Sequence, residues 1–190
     1  RQLADSPSLD LQLSAIPSSA TYARGNEGVP FVGFSFRAFG GDVRIESIQV
    51  RGTAYEGSLE AGEVGSLAFY DGSVRVSSEF SWSPLASMIF DNLRVRVSDG
   101  ETKVLTLRGN ISASANAGDV YAFSIPAAES RYVKAREILG VSADISGTTA
   151  NAGGTVRITI AGGGDVSAAR EADDEESRAG IVVAGREEVL

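Results

Sequence analysis

The stretch SLDLQLSA at residues 8–15 decides the fold class, because apolar and polar side chains alternate at every step. Leu9, Leu11 and Leu13 fall on one side of an extended chain, which is the spacing of a half-buried β-strand. Pro17 ends the pattern, since proline has no N–H to donate to a neighbouring strand. The first structured segment is therefore predicted to be a strand.

The same period of two recurs in short runs separated by Gly, Ser, Asn and Asp. Short strands at regular intervals with turn residues between them are typical of a sandwich of two sheets. We predict an all-β protein, an antiparallel β-sandwich of jelly-roll or Ig-like type with roughly ten strands and a C-terminal extension. After residues 8–15 the strand runs are 32–38, 43–50, 67–76, 93–97, 104–107, 111–115, 120–125, 141–145 and 156–160.

Two dipeptides predict tight turns. Asp71-Gly72 and Asp99-Gly100 each lie between apolar alternating runs, and Asp-Gly is a preferred pair for a two-residue hairpin turn. Each is therefore predicted to close a hairpin, the first within residues 67–76 and the second between residues 93–97 and 104–107.

Two segments depart from simple alternation. The apolar residues of 43–50 are out of phase around Glu46-Ser47, so a β-bulge is predicted there. Residues 127–139 are rich in Ala, Glu and Arg, which favours either a helix or a crossover turn.

The 190-residue chain is long enough for one domain with a buried core and an appendage. Its formal charge of −8 is concentrated in residues 162–190, which carry eight acidic and three basic groups. Such a charge argues against a nucleic-acid partner, because phosphates need a basic surface. We predict a β-sandwich body over residues 1–161, including an N-terminal strand 8–16, and a glycine hinge, acidic spacer and C-terminal strand over residues 162–190.

Composition also bears on location. The chain has no Cys, so neither disulfides nor thiolate metal sites are expected. No stretch is long and apolar enough for a transmembrane segment, and the sequence starts at Arg1 without a signal-like segment. We expect an extracellular or cell-surface protein that has been processed on export, with a chain trimmed at its start as the alternative.

Catalytic residues are hard to find in this sequence. The count of His is zero, which removes the usual general base and the Ser-His-Asp arrangement. A pair of carboxylates could still serve a glycosidase, but Glu56, Glu60 and Glu63 lie in a glycine-rich loop where exposure to water is expected. We predict that the protein is not an enzyme and has no cofactor.

Calcium is the one metal retained as a candidate. Several acidic residues occupy turns that could meet at one end of a sandwich and supply hard oxygen ligands. Asp is also chosen at turns for backbone geometry alone, so ordinary turn residues are the alternative. The candidate ligands are Asp71, Asp91, Asp99, Glu101 and Asp119.

The C-terminal strand is the most informative feature for function. Ile181, Val182, Val183 and Ala184 form an apolar run that follows a glycine hinge and an acidic spacer, with no hairpin partner beside it. A tethered strand of this kind can complete a neighbour's sheet or close its own. Leu9, Leu11 and Leu13 are the alternative donor. The acidic run 173–176 can also pair with outward arginines of a neighbour, for which Arg44, Arg51, Arg75, Arg94, Arg96 and Arg157 are available.

This arrangement resembles the extracellular β-sandwich fibre subunits that assemble by donor-strand exchange, such as archaeal bundling-pilus, biofilm-fibre and cannula-type proteins. The resemblance is architectural. It implies a non-enzymatic homopolymer that forms a filament, tube or surface lattice, with calcium at some subunit interfaces. In those families the N-terminal strand is often the donor, so a C-terminal donor would depart from that pattern.

A secreted carbohydrate- or ligand-binding module is the second candidate. It would present an exposed aromatic platform, for which the sequence offers Trp82, Tyr55, Tyr70 and Tyr121. Assembly instead predicts that Trp82 is largely buried.

Overall fold

The structure is a computed structural model that describes residues 6–58, 60–82, 87–138, 140–148 and 156–162. Within these ranges every regular element is a strand and none is a helix. The predicted all-β class is therefore confirmed. The strands are β1 (Ser8–Leu13), β2 (Ala20–Ala23), β3 (Val29–Phe39), β4 (Val43–Glu56), β5 (Val64–Asp71), β6 (Val74–Arg75), β7 (Met88–Phe90), β8 (Val95–Val97), β9 (Thr102–Ile111), β10 (Val120–Ser124), β11 (Val133–Glu137), β12 (Asp144–Thr148) and β13 (Ile158–Ala161).

The strands form two sheets. The first has the order β12-β1-β3-β9-β5-β6, and the second has the order β11-β4-β10-β13-β2, with β7 and β8 also paired to β4. Most neighbours are antiparallel, whereas β1 with β12 and β13 with β2 are parallel pairs. The segment between residues 13 and 20 carries the chain from the first sheet to the second. The N-terminal region therefore contributes β1 to the first sheet and β2 to the second.

The strand order is that of an immunoglobulin-type sandwich. If the main strands β1, β3, β4, β5, β9, β10 and β13 are lettered A to G, the first sheet contains A-B-E-D and the second contains C-F-G. This is the arrangement of a constant-type domain. Six further strands are additions to that frame, which explains why the described residues form thirteen strands and not roughly ten; they are β2, β6, β7, β8, β11 and β12.

The core lies between the sheets and follows the alternation of the sequence. Phe34, Phe36 and Ala38 of β3 are fully buried, while Arg37 between them is exposed. Aromatic rings join the two sheets edge to face, since Phe31 of β3 lies 5.1 Å from Phe123 of β10. Burial of this kind is the main source of stability in such a fold.

The bulge and the first hairpin are confirmed. Lys134 pairs with Ser47 and Ala135 with Ile45, so Glu46 is the extra residue of β4. As a result Ile45 and Ile48 are both fully buried. In the first hairpin Asp71 pairs with Val74, so the two-residue loop is Gly72 and Ser73, one position later than predicted.

The second hairpin prediction was wrong. The turn exists, because the N–H of Glu101 donates to the carbonyl of Ser98 at 2.9 Å. It does not join paired strands, however, since β8 pairs with β4 in one sheet and β9 with β3 and β5 in the other. A tight turn can equally carry the chain between sheets, and local sequence does not distinguish the two outcomes.

Residues 127–138 are also not helical. They begin with turns, and Val133–Glu137 form β11 against the start of β4. Alternating burial of Val133 and Ala135 beside exposed Lys134 and Arg136 shows why a strand wins over local helix preference.

Candidate functional site

The N-terminal leucines lie inside the body. Leu9 and Leu11 are fully buried, and Leu13 is partly buried against the same core. Strand β1 is held on both sides, by β3 in antiparallel and by β12 in parallel register. In this chain β1 is therefore an inner strand of its own sheet.

The predicted C-terminal strand lies outside the described residues. Ile181, Val182, Val183 and Ala184 all follow Gly162, the last residue described. What the structure does give is the place where this segment leaves the body, at the end of β13.

The two termini of the body lie at opposite ends of the sandwich. Thr159 of β13 pairs with Val120, which pairs with Glu56 at the end of β4. Strand β1 instead starts with Ser8 opposite Phe39, at the end where β4 begins. Gly162, from which the chain continues, therefore lies near the end of the sandwich opposite to the one where β1 begins.

The predicted calcium ligands lie in separate surroundings. Asp71 accepts a hydrogen bond from Lys103 Nζ at 2.8 Å, and Asp119 bonds to the hydroxyl of Tyr121. Asp91, Asp99 and Glu101 are exposed. In the described part of the chain, no group of three or more acidic, His or Cys side chains could hold a metal ion.

Two buried carboxylates form a cluster that sequence reasoning missed. Tyr121 Oη donates to Asp119 Oδ2 at 2.9 Å and lies in closer contact with Glu63 Oε2. Glu63 and Asp119 are only 5% and 6% exposed, and Tyr121 is fully buried. The prediction that Glu63 is exposed with its neighbours was therefore wrong, although Glu56 and Glu60 are indeed exposed.

Glu63 owes its burial to the loops around it. Its Oε1 accepts hydrogen bonds from the backbone N–H and the side-chain amide of Asn116, and its Oε2 accepts from the N–H of Glu60. These contacts join the β4–β5 loop to the β9–β10 loop across a separation of 53 residues. No local pattern could have indicated them, because the partners are distant in sequence.

The cluster is built to hold loops together. Burial, reinforced by the neighbouring carboxylates of Glu63 and Asp119, raises the pKa of Tyr121 well above its ordinary value. The phenol therefore stays protonated and acts as a donor. Immunoglobulin-type sandwiches often carry a tyrosine near the start of this strand that anchors the preceding loop. Tyr121 has the same place near the start of β10, but its hydroxyl contacts the carboxylates of Glu63 and Asp119.

The aromatic candidates for a ligand platform do not share an exposed surface. Trp82 is 4% exposed and packs edge to face with Phe123 at 5.6 Å, while Tyr121 belongs to the buried cluster. Tyr55 is 43% exposed with Arg157 stacked on its ring, and Tyr70 is half-buried beneath Arg108. Trp82 and Tyr121 are thus unavailable to a bound sugar.

No protein-family model matches the sequence, and no curated protein is significantly similar to it. Across the residues that the structure describes, no helix is long and apolar enough to cross a membrane.

Proposed function

We propose that the protein is a structural subunit of an extracellular filament, tube or surface lattice that polymerises by strand addition between copies. The observation that carries this proposal is the position of Gly162. Gly162 follows the end of β13 at the end of the sandwich opposite to the start of β1, and the 28 residues after it include the apolar run 181–184. A connector that leaves one end of the sandwich is suited to reach the opposite end of the next copy.

Strand addition also needs an edge to receive the strand. Among the described residues, β6 and β12 end the first sheet, and β2 and β11 end the second, in which β7 and β8 also pair only with β4. Main-chain N–H and C=O groups on the outer side of an end strand can pair with an added strand. Unpaired edges of this kind favour association of the body with another chain.

The energetics are consistent with a strand that needs a prepared edge. Burying Ile181, Val182 and Val183 contributes roughly 1.5–3 kcal/mol for each side chain. Ordering each backbone residue costs about 1–2 kcal/mol in return. A short strand therefore stays bound only where an existing sheet supplies both hydrogen bonds and an apolar surface.

The burial of Trp82 and Tyr121 also bears on the alternative function. A carbohydrate-binding module would present flat aromatic rings to solvent. The rings of Trp82 and Tyr121 are buried and do not form such a surface. The observation favours assembly over ligand binding as the working proposal.

Deletion of residues 179–190 tests the proposal. The full chain, the deletion and a full-length control with Ile181→Ser and Val183→Ser are purified and imaged by electron microscopy, with and without calcium. We expect filaments from the full chain, and folded monomers from the other two, because the control keeps the length but loses the apolar side chains.

Other outcomes assign the strand differently. Unfolding of the deletion would mean that the strand closes its own sandwich. Filaments from all three proteins would make β1 or another surface the connector, and a full chain that stays monomeric at high concentration would contradict the proposal.

A further inference from the structure

Three arginines form a row across three adjacent strands. Arg44 of β4 is in register with Arg96 of β8 and with Arg136 of β11. Since one residue of β4 is paired with both, β8 and β11 flank β4 on opposite sides. Like charges directly opposite one another in a sheet are destabilising, so such a row needs anions nearby.

Two further cations extend this row into a surface. Lys134 is exposed and precedes Arg136 by two residues in β11, which places both on one side of that strand. Arg94 is exposed just before β8 and lines the same groove as Arg44 and Lys134. We call the surface formed by Arg44, Arg94, Arg96, Lys134 and Arg136 the basic face.

The body neutralises only part of the basic face. Glu46 accepts a hydrogen bond from Arg44 Nη2 at 2.9 Å and another from Arg136 Nε at 3.1 Å. Asp42 pairs with Arg96, and the N–H of Asp99 together with that guanidinium lowers the pKa of Asp42.

Arg94 and Lys134 remain without such a partner. Across the described ranges neither makes a hydrogen bond or an ion pair, although Asp91 lies at the edge of the same surface. A groove of about 610 Å³ runs beside them and is also lined by Ser47 and by Ile89, which is 51% exposed. The groove thus combines two cations that have no partner among the described residues with one exposed apolar side chain.

The chain itself contains a segment of matching charge. Residues 171–176 read EADDEE and hold five carboxylates in six positions. Arginine binds carboxylates in paired, planar hydrogen bonds, which gives such contacts direction as well as attraction. We propose that the basic face binds segment 171–176 of a second copy of this chain; this inference rests on the proposed assembly and names the surface that orients it.

Geometry favours a second copy over the same chain. The row at Arg44 lies twelve residues from Glu56 along β4, a distance on the order of 40 Å. When fully extended, the chain from Gly162 spans about 30 Å to Glu171 and about 46 Å to Glu176. The chain's own acidic segment would have to run nearly straight along the body, whereas the next copy in a head-to-tail row presents its basic face directly.

The contact is expected to set orientation more than strength. Exposed ion pairs are screened within about 8 Å at physiological salt. Association through the basic face therefore weakens as salt rises, while the apolar strand run 181–184 keeps the copies together.

Cysteine cross-linking tests the contact directly, because the natural chain has no Cys. One full-length copy carries Ser47→Cys in the groove, and a second copy, distinguished by a mass tag, carries Ser177→Cys beside the acidic segment. Mild oxidation at low salt is expected to give a disulfide between the two copies. A single chain with both substitutions shows whether the link forms within one molecule.

Charge variants show whether the basic face is responsible. Arg94→Glu with Lys134→Glu in the groove copy is expected to lower the cross-link yield roughly tenfold. The matched control is Arg24→Glu with Arg37→Glu, which makes the same charge change on exposed residues outside the basic face and is expected to leave the yield unchanged. Changing residues 173–176 to Lys in the other copy should restore the yield.

The outcomes separate this inference from the proposed function. A cross-link that survives deletion of residues 179–190 while filaments disappear supports both proposals. Filaments without the cross-link would overturn the inference alone. A link found only within one chain would also overturn it. So would equal losses of yield in the two pairs of charge variants.

Discussion

At the residue scale, two buried carboxylates depend on Tyr121 as a hydrogen-bond donor. Its hydroxyl lies between Glu63 and Asp119, and both carboxylates are almost completely buried. A buried acceptor that loses its donor pays the cost of leaving water without compensation. The contacts of this phenol therefore add to those of Asn116 in joining the two loops.

Tyr121→Phe tests this dependence. We expect the free energy of unfolding to fall by about 1–3 kcal/mol, because the ring is kept and only the shared donor is lost. Urea unfolding at pH 7 measures the change. Tyr22→Phe is the control, since its hydroxyl has no hydrogen-bond partner within the described ranges, and an equal loss there would contradict the role assigned to Tyr121.

Alkaline pH should expose the same contact. The ordinary pKa of Tyr is 10.0, and that of Tyr121 is raised by burial and by its two carboxylates. Above pH 10 the unfolded chain loses this proton while the folded chain keeps it, so stability falls by up to about 1.4 kcal/mol per pH unit. Urea midpoints at pH 9, 10 and 11 should fall less in Tyr121→Phe; parallel curves would contradict the assignment.

Gly57 is the second residue that the cluster requires. Its φ is +72°, and a Cβ there would lie 1.8 Å from Asp119 Oδ1. Gly57→Ala is expected to cost more than Gly118→Ala, where φ is +91° but no atom lies within 4 Å of the added carbon. The control should lose only the roughly 1–2 kcal/mol of backbone strain. Thermal unfolding of both variants measures the difference, and equal losses would argue against the contact.

At the scale of elements, β4 organises the second sheet. It is 14 residues long, and β10 and β11 pair with successive parts of it. The bulge at Glu46 keeps Ile45 and Ile48 in the core, and it also leaves the Glu46 carboxylate between Arg44 and Arg136. One irregular residue thus serves both the core and the basic face.

The place of β1 makes a prediction at this scale. Leu11→Ala should lower the free energy of unfolding by about 2–5 kcal/mol, because Leu11 is fully buried between the sheets. Gln12→Ala on the exposed side of the same strand should change it by less than about 0.5 kcal/mol. Urea unfolding of the monomer compares them. A small effect at Leu11 would mean that β1 leaves its own sheet, as a donated strand would.

At the scale of the whole molecule, the separation of the two ends governs the proposed assembly. Strand β1 begins at one end of the sandwich, and β13 finishes at the opposite end. The basic face lies near the first of these, beside the start of β4. Head-to-tail association would bring the acidic segment of one copy to the basic face of the next.

Truncation after Gly162 tests whether the body is complete without the remaining residues. At a concentration where both proteins are monomeric, we expect the free energy of unfolding of the truncated chain to match the full chain within about 0.5 kcal/mol. Urea unfolding provides the comparison. A loss of several kcal/mol would mean that part of 163–190 belongs to the chain's own sandwich, against the division at residue 161.

The sequence by itself determined the all-β class, most of the strands, the bulge at Glu46 and the first hairpin, because alternation and turn chemistry are local. The tertiary structure decided which strands pair, so the turn at Asp99-Gly100 joins two sheets and residues 133–137 form a strand. It also decided the burial of Glu63 and the row through Arg44, Arg96 and Arg136. These contacts join residues tens of positions apart, and only the packing of the two sheets brings them together.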